Sequence, residues 1–160
     1  MRDQNLFAVF IEPLSEPGLE SLRNLDGSDV LVVGAVGRGG DDRDMGIVAG
    51  IGPTGFPVED ESKFADVLGH VGADVLVDCA GDLRRTASLL KSGLRLGVPA
   101  LVWVPPCGFE SNDFVELGEL DEAALEGGAP VAFFEDPKDI QTGISVALAG
   151  PSGIVPFQLY

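Results

Sequence analysis

The feature that most constrains this chain is a regular alternation of short, continuously apolar runs with longer amphipathic ones. Residues 6–11 (LFAVFI) and 30–36 (VLVVGAV) contain no charged side chain. A strand buried on both faces reads this way, whereas a strand with one wet face alternates. Between them Leu19, Leu22 and Leu25 recur three apart, and Pro17 suits a first helical turn, so residues 17–25 are predicted to be helical. The pattern then repeats. Helices are expected at 60–71 (Phe64, Val67, Leu68 and Val71 on one stripe), 82–96, 114–125 and 139–149, and strands at 74–78, 99–104, 130–134 and 154–159. Residues 37–55, rich in Gly and Asp, are expected to form a loop. Strand-helix alternation of this kind predicts an α/β fold, a doubly wound parallel sheet covered on both faces. The 160 residues show no repeat, low-complexity tract or linker, so a single domain over 1–160 is expected.

Composition narrows the function classes. Ten Lys+Arg oppose 26 Asp+Glu, a formal charge of −16. A surface that acidic repels phosphate backbones and anionic lipid, which argues against nucleic acid and membrane partners. A 45% hydrophobic content separates the chain from disordered acidic tails. No apolar run approaches the ~20 residues of a membrane span. Met1-Arg2-Asp3-Gln4-Asn5 is unlike a signal peptide, so a cytoplasmic location is expected. Two Cys imply no disulfide framework. The single His, His70, sits at a predicted helix end, where it is a capping or solvated side chain. No zinc-ligand spacing occurs, nor a G-x-S-x-G elbow, and no metal site is expected.

In an open parallel sheet, ligands sit beyond the carboxyl ends of the strands. Four strand ends therefore supply the candidates. After the first strand comes Glu12-Pro13-Leu14-Ser15-Glu16-Pro17-Gly18. A dinucleotide site calls for G-x-G-x-x-G here, with glycines for close approach and helix amides for the pyrophosphate. Two glutamates beside a pyrophosphate are electrostatically wrong. They read either as a functional acid pair containing Glu12 or as a turn whose acid favours the helix dipole. After the second strand, Gly37 stands where a ribose-binding acid would be. Arg38 follows it, either as a contact for a 2′-phosphate or as a solvated loop residue.

The third strand end is Asp78-Cys79-Ala80-Gly81-Asp82, with Arg84 and Arg85 just after. Asp78 is a catalytic candidate. Cys79 is either a thiol activated by the coming helix or a small buried hydrophobe, and Asp82 reads as an N-cap. Arg84 and Arg85 open a helix and either clamp an anion or lie solvated. The fourth strand end gathers Trp103, Pro105, Pro106, Cys107, Gly108, Phe109 and Glu110. Cys107 is the best nucleophile candidate, with no His near it in sequence. Trp103, Gly108 and Phe109 complete the expected ligand-binding set, Gly108 through close approach or a positive φ.

An ordered set of short pieces then stands out. Val33-Gly34-Ala35-Val36-x-Arg38, Asp44-x-Gly46-x-x-Ala49-Gly50-Ile51-Gly52 and Gly55-x-Pro57-Val58 come first. Residues 73–78, 97–102, Gly108-Phe109 and Gly143-Ile144-Ser145 follow in register. Together they resemble the N-terminal domain of bacterial 4-hydroxy-tetrahydrodipicolinate reductase (dihydrodipicolinate reductase). The resemblance covers nearly the whole chain and implies a Rossmann-like domain that binds NADH or NADPH and reduces a cyclic imine. The chain departs from that family in its glycine-rich loop, where only Gly18 matches, and at Gly37. Pro106-Cys107 replaces a threonine pair, and no counterpart of the family's His-His…Lys catalytic motif occurs within these residues. NAD(P)H is therefore disfavoured and the cofactor stays unassigned.

Three functions follow from this reading. The first is a degenerate reductase-like domain that has lost hydride transfer and binds a small metabolite, a partner protein or copies of itself. The second is non-redox acid-base or thiol chemistry by Glu12, Asp78, Cys79, Cys107 and Glu110. The third is an NAD(P)H-dependent reductase, or a reductase half completed by a partner chain.

Overall fold

The apolar runs become the strands of one sheet. In this computed structural model residues 5–109 and 113–155 are described. β1 (Leu6–Ile11), β2 (Val30–Gly37), β3 (Glu59–Asp60), β4 (Val75–Asp78), β5 (Ala100–Trp103), β6 (Pro130–Phe134) and β7 (Gly153–Ile154) lie in the order β3-β2-β1-β4-β5-β6-β7. Every neighbouring pair is parallel. The doubly wound α/β sheet expected from the sequence is thus the fold of the protein. The helices are α1 (Glu16–Leu25), α2 (Met45–Ala49), α3 (Phe64–Val71), α4 (Leu83–Arg95), α5 (Phe114–Gly127) and α6 (Ile140–Ala149). Among the described residues no helix is long and apolar enough to cross a membrane.

β1 is central, and Ala8 to Ile11 are wholly buried. The two-residue pleat sends Ala8 and Phe10 to one face and Val9 and Ile11 to the other. On the first face Phe10 joins Leu22 of α1, Met45 of α2 and Ile140 and Ile144 of α6. On the second, Ile11 joins Phe64 of α3, Leu90 and Leu94 of α4 and Leu120 of α5. Each such aliphatic side chain stabilises by about 2 kcal/mol when fully buried. Two apolar layers of this size explain why the strands carry no polar face.

Three local expectations are corrected. The loop at 37–55 contains α2, too short to announce itself by periodicity. Its cause is Asp44, whose carboxylate accepts the amides of Gly46, Ile47, Thr54 and Gly55 and the Thr54 hydroxyl. Residues 59–63 form β3 and a 3-10 turn before α3 begins. The last strand is only Gly153–Ile154, and residues 156–160 lie outside the described residues.

Burial pushes the Asp44 carboxyl up, but the Thr54, Gly55 and Gly46 hydrogen bonds outweigh it and bring its pKa to about 2. Its stabilisation is therefore complete above the unfolded value near 4 and is lost as pH falls toward 2. Asp44→Ala should lower stability at neutral pH by about 2 kcal/mol. The gap from wild type should close in denaturant melts between pH 4 and 2; equal stability at neutral pH would refute this role for Asp44.

Candidate ligand-binding site

The strand order reverses between β1 and β4, so connections leave their carboxyl ends in opposite directions and a crevice opens there. The β1–α1 turn forms one side of it. Glu12 follows β1 with φ +57°, a left-handed conformation that glycine normally supplies and that costs other residues roughly 1–2 kcal/mol. What holds it is visible. Its backbone amide donates to the Val36 carbonyl at 2.8 Å. Its carboxylate Oε1 accepts from the Arg38 amide at 2.7 Å and from Arg85 Nη2 at 2.8 Å. Arg85 Nη1 also meets Glu61 Oε2 at 2.8 Å, and its Nε lies 3.9 Å from Asp82 Oδ2. One guanidinium thus gathers three carboxylates from the first turn, the 3-10 turn and the start of α4.

The rest of the turn offers an incoming phosphate little. Pro13 and Pro17 carry no amide hydrogen. The Ser15 amide donates to the Glu12 carbonyl, and the Gly18 amide to Ser15 Oγ, the N-cap of α1. Gly18 is required for packing, since a Cβ there would lie 2.5 Å from the Pro13 carbonyl oxygen.

The second side of the crevice is a cleft of 260 Å³ between the ends of β4 and β5. Asp78 lines it from the end of β4. Thr86 Oγ1 of α4 lies 2.7 Å from Asp78 Oδ2, and the Ala80 amide donates to Oδ1 at 3.0 Å. Burial pushes the Asp78 pKa up to about 6, against those two hydrogen bonds and the pull of nearby Arg85. Trp103 forms a wall, oriented by its indole N–H donating to the Glu135 carbonyl at 2.8 Å. It packs so closely on Gly81 that a Cβ there would lie 2.7 Å from the ring. Phe109 forms another wall, held edge-to-face on Phe133 with centroids 5.4 Å apart. Cys107 is exposed, and Gly108 beside it has φ +75°.

The sequence-predicted residues therefore separate. Asp78, Arg84, Trp103, Cys107, Gly108 and Phe109 share the β4–β5 cleft. Arg38, Arg84 and Arg85 border a shallower, open hollow with Glu61 and Asp82. Glu12 lines neither; its carboxylate is committed to Arg85 and the Arg38 amide. Cys79 is corrected outright as a ligand contact or nucleophile, for it is wholly buried in the core under α1. Burial, with Asp78 beside it, pushes its thiol pKa well up, so no thiolate forms. Asp82 stands at the N-cap position of α4, as its sequence position suggests, but makes no side-chain cap hydrogen bond there. Glu110 lies outside the described residues. His70 ends α3, its Nδ1 2.7 Å from the Asp66 carbonyl, away from the cleft. Sequence reasoning missed Thr86, Glu61 and Asp113. Thr86 alone left a signal, one helical turn past Asp82 and on the face toward β4.

The same fold occurs in solved oxidoreductases. An amine dehydrogenase from Mycobacterium smegmatis superposes with a TM-score of 0.59 at 22% identity, over 81% of this chain and 39% of its own. A Gfo/Idh/MocA family oxidoreductase from Vibrio cholerae gives 0.57 at 20% identity, over 81% and 38%. A dipicolinate-bound dihydrodipicolinate reductase from Paenisporosarcina sp. TG-14 gives 0.56 at 16%, over 81% and 47%. The protein is a Rossmann-type domain. It spans less than half the length of each of these structures. No protein-family model and no curated protein matches the chain.

Asp78 supplies a test of the site's electrostatics. Its folded pKa of about 6 exceeds the ordinary 3.8, so the folded state holds its proton more tightly. Stability from this group is complete below pH 4 and falls as pH rises through 6. Asp78→Asn keeps the Ala80 and Thr86 contacts but cannot ionise. Relative to wild type it should gain on the order of 2 kcal/mol between pH 4 and 7.5 in denaturant melts. An unchanged difference across that range would contradict this account of Asp78.

Proposed function

We propose that the protein is a Rossmann-type domain that no longer performs hydride transfer and instead holds a small metabolite in the β4–β5 cleft. One observation carries the reading: the Glu12 carboxylate, locked by Arg85, sits in the first βα turn, where a dinucleotide's pyrophosphate would have to lie. A phosphate entering there must either break Glu12 from Arg85 or stand beside an uncompensated carboxylate. Either outcome costs a few kcal/mol, and ~1.4 kcal/mol is tenfold in affinity. The turn's prolines and its internally engaged amides add to the loss. The cleft between β4 and β5 keeps its fixed aromatic walls, the Asp78 floor, the exposed Cys107 thiol and the Arg84 cation, and these are the groups left to bind or act on a ligand. A protein partner also fits this reading, because Phe114 and Val115, at the start of α5 beside the cleft, are 64% and 66% exposed.

A second reading keeps an NAD(P)H-dependent reductase acting on a dihydrodipicolinate-like imine. It is favoured by Arg38, which follows β2 and whose guanidinium has no ion-pair partner among the described residues, as a 2′-phosphate would require. Titration with NADH and NADPH, read by the fluorescence of Trp103, separates the two. The first reading expects no saturable quenching at sub-millimolar cofactor. Micromolar binding of either nucleotide would overturn it and restore the reductase.

A further inference from the structure

One strand of the sheet is left half unpaired. β3 pairs only with Val36 and Gly37, so from Val30 to Ala35 the outer side of β2 faces no strand. The Leu6 amide donates to the Asp29 carbonyl, and Leu31 is the register partner of Phe7. By the alternation of a strand, Leu31 turns its backbone groups toward β1, and Val30 and Val32 turn theirs outward. The Val30 amide finds Ser28 Oγ at 3.1 Å, but nothing among the described residues meets Val32 on that side. Such edges pair with further strands unless Lys, Pro or a bulge blunts them. Residues 30–37 carry neither charge nor proline. The single bulge, where the pairs Ala8–Val32 and Val9–Gly34 pass over Val33, bends the edge without occupying it. The face beside the edge is apolar as well. Phe7 and Leu31, opposite one another, are 37% and 45% exposed. A groove of 390 Å³ between β2 and α3 is lined by Gly34, Phe56, Val67 and Val71.

The charges beside this edge say what covers it. Over most of its surface a chain of formal charge −16 repels its own copies. Here the strand is uncharged, and the groove is lined by both signs, Lys63 with Glu59 and Asp66. None of the three has an ion-pair partner among the described residues. A basic partner would meet Lys63, and an acidic one Glu59 and Asp66, whereas a second copy brings the matching sign to each. We propose that the outer edge of β2 is the seam between two copies of this chain. A twofold axis perpendicular to the sheet sets Val30 to Ala35 of one copy antiparallel to the same residues of the other. Each Val32 then gains a backbone partner, and one sheet runs through both copies. The same axis keeps the two α3 helices on one side of the joined sheet, so that Lys63 of one copy faces Glu59 and Asp66 of the other while Leu31 is covered. The seam is remote from the β4–β5 cleft and does not depend on what that cleft binds.

Sedimentation velocity of the wild-type protein tests this, from ~1 to ~200 µM. The expected species is a dimer of twice 16.7 kDa whose fraction falls on dilution. Hydrogen exchange at the two ends of the range should show the Val32 amide protected only in the dimer. Leu31→Lys puts a charge on the seam at an exposed position. Its thermal melt at low concentration should match that of the wild type, while its dimer should dissociate at least about tenfold more readily. Lys63→Glu leaves the groove with a single sign and should also weaken the dimer, and this loss should shrink in high salt, which screens like charges. A monomer throughout the range would overturn the proposal and leave the edge to a strand of another protein. So would a dimer that Leu31→Lys and Lys63→Glu leave unchanged, because its seam would lie elsewhere on the surface.

Discussion

A single guanidinium organises the crevice end of this sheet. Arg85 draws Glu12, Glu61 and Asp82 around itself, and through Glu12 it reaches the Arg38 amide after β2. Segments far apart in sequence are thereby joined at the point where the strand order reverses. The arrangement also explains how a glutamate persists with φ +57° at the end of β1. Fully exposed ion pairs contribute little. Here the Arg85 side chain is only 20% exposed and the Glu12 carboxylate is also held by the Arg38 amide, so removing one charge strands the others.

On the proposed function, the consequence is a displaced site. In a doubly wound sheet the first turn and the adjoining strand ends form one continuous crevice for an extended ligand. Here the turn is filled from within, while the hollow bordered by Arg38, Arg84 and Arg85 and the cleft between β4 and β5 stay open. The pleat then decides which groups face that cleft. Asp78 shares the face of Leu76 and meets α4, whereas Cys79 shares the face of Val77 and is sealed under α1. Adjacent residues of similar chemical promise are separated by the backbone alone.

Most strands were readable because a run buried on both faces needs no periodicity to be recognised, as 6–11 and 30–36 illustrate. The helix at 45–49 was not, because it is only five residues long and depends on the Asp44 hydrogen bonds to Thr54 and Gly55, ten and eleven residues away. Strand β3, with two residues, is equally silent. At the site, the strand-end rule alone brought together Asp78, Trp103, Cys107, Gly108 and Phe109. The burial of Cys79 was available in principle, since odd-numbered Val75 and Val77 precede it on the same face. The fate of Glu12 was not. Neither its left-handed backbone nor a partner 73 residues away follows from local rules.

The account rests on the Glu12–Arg85 pair being an energetic fact rather than a surface ornament. A double-mutant cycle measures this directly, using Glu12→Gln, Arg85→Gln and the combination, each followed by denaturant unfolding at neutral pH. The account predicts a coupling energy of about 1 kcal/mol or more, with each single variant clearly destabilised. Additivity within ~0.3 kcal/mol, as independent sites show, would mean that the turn is not held by this pair, and the displaced-site account would fail with it.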